Sequence, residues 1–113
     1  MSAGDKAAKI RELNDAFRTT LDQRLGRVMF TAGVNALSNV HKTLLLERVR
    51  TFDAFSENND PHQEHDFGSI EFLGRKFFWK IDYYDSTMTY GSEDPSNPTK
   101  TTRVLTIMRS EEY

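Results

Sequence analysis

The sequence predicts an α+β domain: a small antiparallel sheet of about four strands with two helices packed on one face. Three observations predict it. Two segments carry apolar residues at three- and four-residue steps. Four shorter segments are rich in β-branched and aromatic residues, and clusters of Gly, Pro, Asn, Asp and Ser separate them. Two helices and four short strands are too few for a doubly wound sheet. A length of 113 residues fits a single domain, 1–113, with residues 1–5 as a flexible N-terminus.

The first helix is expected from Asp5 to Leu21, with Ile10, Leu13, Phe17 and Leu21 on one stripe. Gly26 breaks the pattern, Arg27 to Thr31 reads as a strand, and Ala32-Gly33 as a turn. Ser38 caps a second helix whose wide apolar face comprises Val40, Leu44, Leu45, Val49 and Phe52. Asp53 to Asp66 is a long loop punctuated by Asn, Asp and Pro. A hairpin follows: Phe67 to Leu73, a Gly74-Arg75 turn, and Lys76 to Tyr84. In the second arm Phe77, Trp79, Ile81 and Tyr83 are expected to face the core, and Phe78, Lys80, Asp82 and Tyr84 mostly solvent. Gly91 to Thr102 is a loop, Arg103 to Met108 a last strand, and Ser110 to Tyr113 a polar tail.

Composition excludes several function classes. There is no Cys, so disulfides, thiolate metal sites and thiol nucleophiles are absent. No apolar run approaches the ~20 residues of a membrane span, and no signal-like apolar stretch follows Met1 to Asp5. A cytoplasmic location is expected. The net charge of −2 hides an asymmetry: nine Lys/Arg against five Asp/Glu in residues 1–52, and six against twelve in 53–113. Such a split can steer a charged partner.

The most suggestive cluster is His62, Glu64, His65 and Asp66. Imidazole and carboxylate together can hold Zn²⁺, Mn²⁺ or Fe²⁺, and His62, His65 and Asp66, with Asp82 near, would serve a metal-dependent hydrolase. Their spacing is not that of the helical zinc motif, in which two His lie one turn apart, so no metal or other cofactor is assigned. Lys80, Asp82, Tyr84 and Asp85 form a polar row at a strand end, expected as a cross-strand ion pair on a wet face. The aromatic strand Phe77 to Tyr84 lacks the interleaved cations of a single-strand nucleic-acid platform and reads as core. Arg11, Arg18, Arg24, Arg27, Lys42, Arg48 and Arg50 make nucleic-acid binding through the first half an alternative, diluted by Glu12, Asp15, Asp22 and Glu47. No phosphate loop and no nucleophile elbow occurs, so no catalytic residue is assigned.

Three stretches read together carry a resemblance: Ile10 to Arg18 (IRELNDAFR), Asn59 to Gly68 (NDPHQEHDFG) and Phe78 to Asp85 (FWKIDYYD), with the ending Arg103 to Met108 (RVLTIM). From about residue 10 to the end the chain resembles a small bacterial family, domain of unknown function 3768. The resemblance implies an accessory protein of bacteria, often on mobile elements, with a role in element maintenance or in blunting host defence. It brings no activity, cofactor or catalytic residue with it.

These readings favour a small non-catalytic binding protein that docks on a larger protein partner. The expected contact surface is the acidic loop with the nearby strand end: Asp60, His62, Glu64, His65, Asp66, Asp82, Tyr84 and Asp85.

Overall fold

The computed structural model describes residues 3–113, with side chains from residue 4 on. Among these the elements run α1 (Ala3–Thr20), β1 (Gly26–Phe30), α2 (Ala32–Asn35), α3 (Asn39–Arg50), β2 (Phe67–Phe72), β3 (Arg75–Tyr84), β4 (Thr102–Arg109) and a closing 3-10 turn (Ser110–Glu112). The expected flexible stretch 1–5 is helical from Ala3 on; Met1 and Ser2 lie outside the described residues.

α1 buries the stripe its spacing predicts. Ile10, Leu13 and Phe17 are buried, and removing such a side chain from water stabilises by roughly 1.5–3 kcal/mol. The helix stops where Leu21 turns left-handed at φ 56°. α3 starts as expected, with Ser38 Oγ accepting the His41 N–H at 3.1 Å. Its apolar face is narrower than the sequence suggests. Leu45 and Val49 are buried, whereas Val40 and Leu44 stand 68% and 50% exposed. The reason is reach: α3 lies over one side of a small sheet, and a stripe wider than its contact spills into solvent. Ala32-Gly33 is the start of the short helix α2 rather than a turn, and its Val34 enters the core.

The sheet has four strands in the order β1-β4-β3-β2 and is mostly antiparallel. β1 pairs parallel with β4, Gly26 opposite Arg103 and Phe30 opposite Ile107. Gly26 permits that approach, since a Cβ there would lie 2.3 Å from the Arg103 carbonyl oxygen. The hairpin turn is Leu73-Gly74, one residue earlier than expected. Both residues have positive φ, 55° and 71°, the signature of a type I′ turn.

One sheet face packs under the helices. Ile70, Phe77, Trp79, Ile81, Leu105 and Ile107 meet Phe17, Val34, Leu45 and Val49 there. The opposite face carries Met29, Phe78, Lys80, Asp82, Tyr84, Val104 and Thr106 and, among the described residues, no α-helix. Phe78, Lys80, Asp82 and Tyr84 are half-buried there rather than open. Phe78 packs against Phe67, and the Tyr113 ring meets both edge-on at 5.6 and 5.8 Å. The C-terminal residues are therefore more than a polar tail. The Glu112 carboxylate accepts from Arg109 N–H, Thr31 Oγ1 and Gly33 N–H at 2.8–3.0 Å, and these donors hold it below the usual carboxylate range.

Candidate functional site

Two adjoining groups of buried polar side chains lie where α1, the 53–66 loop, β3 and the chain before β4 converge. The first centres on Arg103, which is fully buried. Its Nε donates to Asn14 Oδ1 at 2.6 Å and its Nη2 to the Pro95 carbonyl at 2.5 Å. Its Nη1 has no hydrogen-bond partner among the described residues, and the guanidinium lies 5.4 Å from the Tyr83 ring centre. Burial pulls the Arg103 pKa down. Asn14, also fully buried, donates to the Glu64 carbonyl and to Tyr83 Oη at 2.9 and 2.8 Å. Tyr83 Oη donates in turn to Glu64 Oε1 at 2.7 Å. Burial first, then the neighbouring Glu64 carboxylate, pushes the Tyr83 hydroxyl well above its ordinary pKa.

The second group centres on Arg18, 3% exposed, whose Nη1 donates to the carbonyls of Val49, Arg50 and Phe52 at the end of α3. Cation placement at a helix C-terminus is favourable. Its Nη2 meets Asp15 Oδ1 at 3.2 Å, and the guanidinium lies 5.1 Å from the Trp79 ring. The Asp15 carboxylate also meets His65 Nδ1 at 2.9 Å. The His65 ring stacks on Phe55 with centres 3.7 Å apart. On its other side the Asp60 carboxylate accepts the His65 backbone N–H at 3.1 Å and faces Nε2 at 3.6 Å.

These contacts fix a loop that has no helix or strand of its own. Arg11 donates to the Gln63 carbonyl at 2.9 Å. Gln63 and His65 both hold left-handed backbone, φ 57° and 54°, which non-glycine residues adopt only when their surroundings enforce it. Beside them opens a cleft of about 290 Å³ bordered by Arg11, Phe55, Glu57, Asp60 and His65.

The structure divides the residues the sequence singled out. Asp60, Glu64 and His65 point inward and hold the loop. Asp66 is half-buried, and its backbone carbonyl accepts the Ile81 N–H at 2.8 Å. Burial first, then the Glu64 carboxylate, raises its pKa. His62 is exposed, as are Asp53, Glu57, Asn58 and Gln63 around it. Asp82 belongs to the helix-free face, where it meets Lys80 of its own strand at 2.5 Å, so the pair is not cross-strand. Tyr84 borders the same face. Asp85 stands apart and organises a turn by accepting from the N–H groups of Thr87 and Thr89 and from Thr87 Oγ1. These bonds, Thr87 Oγ1 first, lower its pKa.

Among the described residues, no group of three or more His, Cys, Asp or Glu side chains could hold a metal ion. The cations of the first half differ in setting. Arg18 is buried, Arg24 pairs with Asp22, Arg27 donates to the Gln23 and Gly26 carbonyls, Arg48 to Glu71 and Arg50 to Thr19. Among the described residues no helix is long and apolar enough to cross a membrane.

The sequence reading missed Asn14, Asp15, Phe55 and the structural roles of Arg18 and Arg103. A signal was present. Asn14 and Arg18 follow Ile10 at four-residue steps and so share its stripe, and Arg103 alternates in phase with Leu105 and Ile107.

The fold and this network define a small α+β protein with helices on one sheet face and a polar core that disciplines a loop. The chain belongs to the family described as "Protein of unknown function (DUF3768)", which matches residues 30–112. No curated protein and no solved structure matches the chain.

Proposed function

We propose that the chain is a non-catalytic binding protein that docks on a protein partner through the outward side of the 53–66 loop. One observation carries this reading: a fourteen-residue irregular loop is held from beneath by side-chain bonds from α1 and β3, most of them part-buried. A loop held in one shape binds without a large ordering cost, and long ordered loops are where recognition concentrates. The displayed residues are Asp53, Glu57 and His62, and Glu57 borders the cleft together with Arg11, Phe55, Asp60 and His65. Carboxylates beside an aromatic ring suit a Lys or Arg anchor on a basic partner surface. An accessory role on a mobile element, such as inhibition of a host defence system, belongs to the same proposal and rests on the family resemblance.

The test separates display from support. Tagged wild-type protein and the triple variant D53K/E57K/H62A are compared in affinity capture from a bacterial lysate. All three positions are exposed, so the variant keeps its fold. A partner recovered near stoichiometry by the wild type and lost by the variant supports the reading. Equal recovery by both overturns it.

A further inference from the structure

We infer that the outer edge of β1 is a second docking site, which adds an extended strand from a partner protein. It does not rest on the loop reading, because β1 and the strand that follows the loop, β2, are opposite edges of the sheet. The Leu25 carbonyl and the Thr31 N–H bond to β4, through the Arg103 N–H and the Ile107 carbonyl. Alternation then turns the backbone groups of Gly26, Val28 and Phe30 outward. The Arg27 guanidinium covers the Gly26 carbonyl at 3.1 Å. Among the described residues nothing bonds the outward groups of Val28 and Phe30.

A groove flanks this edge on each face of the sheet. On the helix-free face one of about 550 Å³ is lined by Met29, Tyr84, Met88 and Val104, and Met29 is 54% exposed. On the helix face one of about 750 Å³ is lined by Leu21, Val28, Phe30 and Leu46. Side chains of a strand alternate between faces, so an added strand would drop successive side chains into the two grooves while its backbone met Val28 and Phe30.

Charge selects the occupant. Arg27 is exposed and borders both grooves, and the Arg24 beside it is paired with Asp22. A second copy pairing antiparallel, with Val28 opposite Val28, would set the two Arg27 side chains diagonally on one face, a like-charge contact. An extended partner segment with apolar residues for the grooves and a carboxylate near Arg27 meets no such penalty.

Two ten-residue peptides test this, one alternating valine and glutamate and one alternating valine and lysine, with backbone amide exchange as readout. The acidic peptide is expected to slow exchange at Val28 and Phe30 and to bind roughly tenfold more tightly than the basic one. Arg27→Glu is expected to invert that preference. The inference is overturned if neither peptide protects Val28 and Phe30, or if Arg27→Glu leaves the preference unchanged. Protection that rises with protein concentration without peptide overturns the choice of occupant in favour of a second copy.

Discussion

The two long loops are held in different ways. Residues 85–101 are shaped mostly by neighbours in sequence: Asp85 binds Thr87 and Thr89, Asp94 binds Ser96, and Asn97 binds Thr99. Residues 53–66 are shaped by distant ones. Arg11, Asn14 and Asp15 reach the loop from about fifty positions away, and Tyr83 from nineteen. The first kind of loop costs little to disturb and changes only locally. The second is coupled to the core, so its shape is as firm as the packing beneath it.

Arg103→Ala should break this difference most severely. It empties a fully buried site and strips Asn14 Oδ1 and the Pro95 carbonyl of their donor, a loss of about 3–5 kcal/mol visible in denaturant unfolding. Arg18→Ala removes the donor that gathers three carbonyls at the end of α3 and should cost about 2–3 kcal/mol in the same measurement. Tyr83→Phe leaves Asn14 and Glu64 short of a partner. It should cost about 1–2 kcal/mol and loosen the 53–66 loop while residues 85–101 keep their exchange rates. Asp85→Ala is the converse: it should free the Thr87 and Thr89 amides and leave Tm within about 2 °C of wild type.

The smallest effect concerns pH. Burial raises the Asp66 pKa, so the folded protein binds that proton more tightly than the unfolded chain does. Its ionised carboxylate therefore opposes folding at neutral pH, and the penalty fades as pH falls through the raised value toward the ordinary one. Asp66→Asn should raise Tm by about 2 °C at pH 7, with the gain shrinking toward pH 4.

The same contrast explains what was legible in the sequence. The α1 stripe, the Ser38 cap, the alternation in β3 and the Gly, Pro and Asn that punctuate the chain from Gly91 on are local patterns, and each is found in the structure. The I′ turn was displaced by one residue because Leu73, a poor left-handed residue, is carried there by the Ile70–Phe77 register. The parallel pairing of β1 with β4 joins Phe30 to Ile107 across the whole remaining chain, and no local pattern announces it. The acidic loop was located correctly, but not which of its charges point inward. Asp60 and Glu64 look like surface residues until their partners, His65 and Tyr83, are placed in three dimensions.

Distant side chains lock the 53–66 loop, and the His65 backbone amide is the closest reporter of that hold. In wild-type protein its exchange should be slowed well beyond that of Thr87, and Asn14→Ala should speed it by roughly tenfold or more. Exchange at His65 as fast as at Thr87, or unchanged by Asn14→Ala, would mean that these side chains do not hold the loop.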